Sequence, residues 1–287
     1  MTLILDGKKL AATINEEIKN KVDQAAKKYN RQPGLATILV GEDPASELYV
    51  GMKVKACNRL GIHSEQIRLS ENVTKEKLIN KIHEINDNPK IDGILLQLPL
   101  PKDLKQHTNK ILQEIAPDKD VDGFLPRSIG LVVMGDETYG ACTPKGMIRL
   151  LERNDVEIEG KEVVIVNRTT VIGKPLAVMF TNRHGTVTVC HSRTKDLDFH
   201  LKRADIIAVG VGKVKFLTAD RIKEGVVVLD AGINHDENGK LCGDADFEGI
   251  KDKCAAITPV PGGVGPMTIA MLMENTYLSF MNRITTE

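Results

Sequence analysis

The chain of 287 residues has no tryptophan and only 3 % aromatic residues, too few for a surface on which nucleic-acid bases stack. Neither sign of charge is in excess: 39 lysines and arginines balance 39 aspartates and glutamates, so no broad field draws the chain to nucleic acid or an anionic membrane. No window approaches the roughly 18 consecutive apolar residues that span a bilayer. The first residues, MTLILDGKKLAATINEEIKNKV, lack a basic flank before a sustained apolar core, so a cytoplasmic protein is expected. Five cysteines, Cys57, Cys142, Cys190, Cys242 and Cys254, are odd in number and never spaced CxxC, which argues against a disulfide framework and a zinc site. The seven histidines form no HExxH pair, and no metal is expected. A small-molecule ligand is the remaining expectation.

What the chain does contain is alternation. Leu10, Ile14, Ile18 and Val22 place one apolar stripe along a helix predicted over residues 8 to 29. GLATILV, Gly34 to Val40, is a continuous apolar run suited to a strand buried on both faces. A helix from about Ser46 to Gly61, a strand over 62–69, a helix from Thr74 that stops before Pro89 and a strand in IDGILLQ, Ile91 to Gln97, continue the series. Residues 116–140, rich in Gly, Pro and Asp, read as a connector. Thr143-Pro144 offers an N-cap followed by proline in the first turn of a helix through Leu151. A second series follows: KEVVIVN, a helix from about Gly173, TVTVC, ADIIAVG, VVVLDAG and CAAIT. A last helix, from Pro266 to about Ile284, is expected to pack back on the first domain. The fold class is therefore α/β in two domains, with parallel sheets and a doubly wound, Rossmann-like second half.

The chemistry is less direct. GxGxxG is absent, and Gly173-Lys174 is no P-loop, because Arg168 stands five residues before Gly173 and Pro175 follows the lysine. A helix N-terminus opened by Gly173 can receive a pyrophosphate through free backbone N–H groups; a purely structural turn is the alternative. The second strand of this half ends in His191-Ser192-Arg193 with no carboxylate for a ribose 2′-hydroxyl, which favours NADP over NAD, with a solvated basic loop as the alternative. Tyr49 and Lys53 are spaced i, i+4 on one helical face, although a surface lysine beside a half-buried tyrosine has the same spacing. Gln97 ends a buried strand, where parallel sheets bind ligands. Asp118, Asp120 and Asp122 suggest calcium, but no bidentate glutamate completes the pattern and a polar turn is the simpler reading.

YVGMK, DGILLQLPLP, PDKDVDGF, CTPKG, TVTVCHSRT, LDAGIN and, above all, TPVPGGVGPMT together closely resemble the methylenetetrahydrofolate dehydrogenase/cyclohydrolase family, from about Ile4 to Thr276. The resemblance implies a homodimer whose subunits bind folate in a cleft between a catalytic domain, residues 1–140 completed by a helix over 266–287, and a Rossmann-like NADP-binding domain, 141–265. It implies that Lys53 is the catalytic lysine, that Tyr49 packs on the folate, that Gln97 tunes the lysine and that Asp122 anchors the pterin, all four acting in the catalytic site. Leu98, Pro99, Pro261, Gly262 and Gly263 join them around the substrate. The 2′-phosphate side of the cofactor falls to Arg168, Thr169 and Ser192, with Asn167, Gly173, His191 and Ile233 beside it. The glycines of TPVPGG would bring backbone close to nicotinamide and folate, and Pro266 would open the next helix. Two departures stand out. Asn167-Arg168-Thr169 replaces the family's usual Gly-Arg-Ser, and Lys213-Val214 stands where a proline is usual, with Lys213 either on phosphate or solvated. The activities implied are NADP-dependent oxidation of 5,10-methylenetetrahydrofolate and hydrolysis of the methenyl product; the alternatives are another NADP-dependent dehydrogenase, of a hydroxy or amino acid, or a non-catalytic NADP-binding protein.

Overall fold

Short apolar runs become parallel strands wherever both faces are covered. In chain order the strands of the computed structural model are Leu3–Ile4 (β1), Gly34–Val40 (β2), His63–Leu69 (β3), Gly93–Leu96 (β4), Glu162–Val166 (β5), Thr186–Cys190 (β6), Ile206–Val209 (β7), Val226–Asp230 (β8), Asn234–His235 (β9), Leu241–Cys242 (β10) and Cys254–Ile257 (β11). The helices are Gly7–Tyr29 (α1), Pro44–Leu60 (α2), Lys75–Asn86 (α3), Lys102–Lys105 (α4), Thr108–Leu112 (α5), Pro126–Val133 (α6), Cys142–Glu152 (α7), Gly173–Thr181 (α8), Leu197–Arg203 (α9), Phe247–Ile250 (α10) and Val264–Thr286 (α11). The structure describes residues 2–286; Met1 and Glu287, which fall within the expected spans 1–140 and 266–287, lie outside the described residues. Among the described residues, no helix is long and apolar enough to cross a membrane.

The chain divides into two compact units, one of residues 13–131, 138–140 and 269–286, the other of 2–12, 132–137 and 141–268. The first is built on a parallel sheet of order β3-β2-β4. All seven residues of β2 are buried, and Ala36, Ile38 and Val40 pack with Leu78, Ile82 and Ile85 of α3. β3 lies at the edge and alternates half-buried with exposed positions. α2 begins earlier than the apolar pattern indicated: Asp43 is its N-cap and accepts from the Ser46 N–H at 2.8 Å, Pro44 fits the first turn, and Gly61 closes it at φ 74°. Thr74 caps α3 as expected, accepting from Lys77 N–H.

The second unit holds a six-stranded parallel sheet of order β1-β11-β8-β7-β5-β6. β5 starts the order, β6 lies on one side and β7 on the other, so the winding reverses between β5 and β7, the position at which doubly wound sheets bind ligands. Register fixes the height of this edge: Val166 pairs with both Cys190 and Val209, and Val209 with Asp230. The carboxyl ends of four adjacent strands are therefore level.

Three local readings need correction. Residues 116–140 are not only connector, because Pro126–Val133 forms α6 with its proline in the first position. Thr143 is not an N-cap; α7 begins at Cys142 after Ala141, and the Thr143 hydroxyl instead lies 3.0 Å from that of Thr268. Pro266 does not begin the last helix, which starts at Val264 and carries the proline in its first turn, where a missing N–H is harmless.

Candidate functional site

In the three-stranded unit, α2 presents Tyr49 and Lys53 half-buried, and burial raises the Tyr49 hydroxyl above the usual tyrosine range. Lys53 Nζ donates to Gln97 Oε1 at 2.9 Å. Gln97 is itself fixed: its backbone N–H donates to the Ile38 carbonyl at 2.9 Å and its Nε2 to the Leu98 carbonyl at 2.8 Å. With Nε2 committed to Leu98, the carbonyl end of the amide faces the lysine. Leu98 packs partly buried against the core and Pro99 is exposed, joined by a cis peptide.

The three aspartates after Pro117 have separate fates. Asp118 pairs with Arg283 of α11. Asp120, 3 % exposed, accepts from the N–H groups of Gly123, Phe124 and Leu125 and from the Ser128 hydroxyl at 2.6 Å. Burial nevertheless holds its carboxyl above the normal range. Asp122, half-buried, sits on the turn that these contacts shape. Buried Lys119 donates to the carbonyls of Ile85, Asn86 and Asn88 at the end of α3; burial, reinforced by Arg283, pulls its pKa down to about 8. From α11, fully buried Asn275 donates to the carbonyls of Val121 and Gly140, and Ser279 bonds those of Asp92 and Asp118. Asp120 organises the polar turn that was the simpler expectation for the three aspartates, whereas Lys119, Asn275 and Ser279 were not singled out in the sequence. For Asn275 and Ser279 the one signal was polar residues at i, i+4 on the otherwise apolar α11.

In the six-stranded unit, Asn167, Arg168 and Thr169 leave β5 beside His191 and Ser192, which leave β6 at the same level. Arg168, Ser192 and Arg193 are exposed, and among the described residues no ion pair engages the two guanidinium groups. The first acidic side chain after β6, Asp196, is spent capping α9 through the Phe199 N–H. His191 Nδ1 accepts from the Arg193 N–H, which leaves the proton of the neutral ring on Nε2. Ile233 is 54 % exposed on the loop after β8.

The expected free N–H groups at the start of α8 are already engaged. Asn167 Oδ1 accepts from the Thr169 N–H and hydroxyl, both at 2.8 Å, and from the Gly173 N–H at 3.1 Å. Thr169 takes the next two donors, Ile172 N–H at its hydroxyl and Lys174 N–H at its carbonyl. Asn167 Nδ2 meanwhile reaches the Gly210 carbonyl at 2.6 Å, tying the loop after β5 to the loop after β7. The asparagine side chain thus fills the cradle that a phosphate was expected to find. Gly173 is required by this turn, since a Cβ there would stand 2.0 Å from the Asn167 carbonyl oxygen.

Pro261, Gly262 and Gly263 belong to this same unit. Gly262 has φ 111°, and a Cβ on Gly263 would lie 2.5 Å from the Pro259 carbonyl oxygen. Lys8 N–H donates to the Gly262 carbonyl at 2.8 Å, and Gly7 leaves room for the carbonyl of Gly263. The glycines first serve the loop's own folding against the start of α1.

The geometry brings together Lys53 with Gln97, and Asn167, Thr169 and Gly173 with one another. Among the described residues no cluster of three His, Cys, Asp or Glu side chains is placed to hold a metal ion. Comparison with known proteins agrees with the resemblance along nearly the whole chain. Residues 5–122 match "Tetrahydrofolate dehydrogenase/cyclohydrolase, catalytic domain", and residues 141–284 match the "NAD(P)-binding domain" of the same family. The "Bifunctional protein FolD" of Lachnoclostridium phytofermentans is 50 % identical over 275 residues, covering 96 % of each chain. The crystal structure of the Campylobacter jejuni bifunctional enzyme FolD superposes with TM-score 0.95 at 46 % identity, covering 99 % of this chain and 100 % of that one. The Trypanosoma brucei enzyme, solved with NADP cofactor and inhibitor, gives TM-score 0.94 at 34 % identity over 99 % of this chain and 98 % of that one. The chain belongs to the tetrahydrofolate dehydrogenase/cyclohydrolase family.

Proposed function

We propose that this chain oxidises 5,10-methylenetetrahydrofolate to 5,10-methenyltetrahydrofolate with NADP and hydrolyses the product to 10-formyltetrahydrofolate. The observation that carries the reading is the Lys53–Gln97 pair at 2.9 Å, standing in a chain whose two halves match the catalytic and NAD(P)-binding domains of one family.

NADP, when bound, supplies a nicotinamide ring that accepts hydride. The donor set fits its 2′-phosphate: Arg168, Ser192 and Arg193 are exposed on level, adjacent loops, with no carboxylate on the residues directly following β6. Asn167, Thr169, Gly173 and His191 shape these loops, and Ile233 offers an exposed apolar contact. Hydride transfer chiefly requires that donor and acceptor be held close and aligned. Tyr49, Leu98 and Pro99, with Asp122 on the pterin, hold the folate; Pro261, Gly262 and Gly263 are assigned to the same substrate.

Hydrolysis adds a need for proton transfer. Water bonds to the methenyl carbon and gives up a proton to Lys53 Nζ in its neutral form; Lys53 returns that proton to N5 as the bond from the carbon to N5 breaks, and the new hydroxyl loses its remaining proton to solvent, leaving the formyl group on N10. Gln97 Oε1 takes one amine hydrogen, which orients the remaining lone pair.

Residues 1–140 with 266–287 are proposed as the folate-binding domain and 141–265 as the NADP-binding domain, in a cytoplasmic homodimer; light scattering on the purified chain tests the dimer. For the activity, methylenetetrahydrofolate and NADP are mixed with the protein and absorbance is followed. Reduced cofactor together with a transient methenyl chromophore is expected. Absence of both sinks the reading.

A further inference from the structure

Three consecutive backbone N–H groups, those of Val211, Gly212 and Lys213, converge on the carboxylate of Asp244, which is fully buried. Gly212 N–H reaches Oδ2 at 3.1 Å and Lys213 N–H reaches Oδ1 at 2.8 Å, while Asn234 Nδ2 donates to Oδ1 at 2.8 Å. Asp244 is held in turn by Asp230, the last residue of β8: Asp230 Oδ1 accepts from the N–H groups of Asp244 and Gly232, and Oδ2 from that of Ala245. Close approach is built in. A Cβ at Gly232 would lie 2.5 Å from the Asp244 carboxyl, and one at Gly243 would lie 2.0 Å from Asp230 Oδ2.

The segments gripped in this way leave the carboxyl ends of β7 and β8, level with the loops of Asn167 and Ser192. They flank exposed Ile233 through Gly232 and Asn234. Left alone, 211–213 would be an exposed stretch containing a glycine at φ 71°, with three unpaired N–H groups and many conformations to lose on binding. The buried carboxylate removes that freedom before any ligand arrives.

We propose that Asp244, seated on Asp230 and held by Asn234, is a positioning residue for the NADP site, fixing the loop 211–213 in the binding arrangement without touching the cofactor. The inference rests on the NADP reading above and assigns a residue that reading does not use. Asp244→Asn keeps the shape but turns an amide NH2 toward backbone donors. Three measurements on one preparation decide the matter: amide hydrogen exchange of the cofactor-free protein, NADPH affinity by fluorescence titration, and methenyltetrahydrofolate hydrolysis. Exchange at 211–213 should quicken at least about tenfold with β5 and β8 unchanged, NADPH should bind about 10 to 100-fold more weakly, and hydrolysis should stay within about twofold. Should Asp244→Asn fail to fold, Asn234→Ala removes only one donor and should show the same division at about 3 to 10-fold. Unchanged NADPH affinity despite faster loop exchange overturns the proposal, as does equal loss of protection through β7 and β8, which marks a merely structural role. A wild-type chain that neither binds NADPH nor hydrolyses methenyltetrahydrofolate removes the underlying reading itself; one that does both beside an indistinguishable Asp244→Asn removes only this proposal.

Discussion

The two units solve the same problem, holding a reactive surface still, by opposite means. In the three-stranded unit the side chain proposed as the reactive one stands on a helix, Lys53 on α2, and one side chain from a strand end, Gln97, accepts its hydrogen bond. In the six-stranded unit the level strand ends carry loops, and side-chain oxygens act as internal acceptors for their N–H groups: the half-buried amide of Asn167 for the loop after β5, and the buried carboxylates of Asp244 for the loop after β7 and Asp230 for the loop after β8. A site of the first kind loses its chemistry when one side chain changes. A site of the second kind should lose affinity or order by degrees, because each acceptor serves several donors.

The sharpest break is Lys53→Met. Its methenyltetrahydrofolate hydrolysis should fall by about 10² to 10⁴-fold, the usual contribution of a positioned acid-base group, while NADPH formation from methylenetetrahydrofolate remains measurable. Both are read in one cuvette after subtracting spontaneous hydrolysis. Hydrolysis at the wild-type rate would remove Lys53 from its role and the comparison with it.

Asp120 tests whether the lysine-bearing unit also relies on an internal anion. Asp120→Ala strands three backbone donors and the Ser128 hydroxyl in a buried turn; at about 1 to 3 kcal/mol for each buried group left unpaired, stability should fall by about 3 kcal/mol or more. A urea melt followed by circular dichroism measures it. A loss under about 1 kcal/mol would mean that water replaces the carboxylate in that turn.

Asp230 separates the units by pH. Its carboxyl is raised from 3.8 to about 6, chiefly by burial and against three N–H bonds that favour the charged form. Because the folded-state pKa lies above the unfolded one, the folded chain holds the extra proton between these values. The associated stability is present below about pH 3.8 and lost as pH rises through about 6. Two units at about 1.4 kcal/mol each make this about 3 kcal/mol. The stability of wild type minus that of Asp230→Asn should therefore shrink by about that amount from about pH 4 to about pH 6.5. A flat difference would show that the three N–H donors hold Asp230 ionised throughout.

The same contrast explains what the sequence disclosed. Gly34–Val40, Ile206–Val209 and Val226–Asp230 were legible as strands because burial on both faces writes a continuous apolar run. β1 was not: two residues, 41 % and 42 % exposed, become a strand only by pairing with Ala256 and Ile257. α6 hid among glycines, prolines and aspartates, although Pro126 before an apolar run was a start signal. Lys53 and Gln97 lie 44 residues apart, and only the family resemblance joined them. The internal side-chain partners were invisible for the same reason. Asn167 meets Gly210 across 43 residues and Asp244 meets Val211 across 33, so local spacing holds no trace of either partner.

The smallest expected effect bears on cofactor choice. If the six-stranded unit already supplies its own acceptors to the N–H groups at the start of α8, discrimination between NADP and NAD falls to exposed side chains such as Arg168 and Ser192. A charge-assisted bond to phosphate is worth about 1.5 to 3 kcal/mol, or about 10 to 150-fold. Arg168→Ala should lower kcat/KM for NADP by that factor and leave kcat/KM for NAD nearly unchanged, because NAD lacks the 2′-phosphate. Exposure and salt screening pull the expectation toward the lower figure, and raising ionic strength should narrow the gap between wild type and variant. Equal kcat/KM for the two cofactors in wild type would take the 2′-phosphate away from this edge. A parallel fall with both cofactors would instead make Arg168 a support for the loop that Asn167 holds, moving it from the ligand's side of the comparison to the protein's.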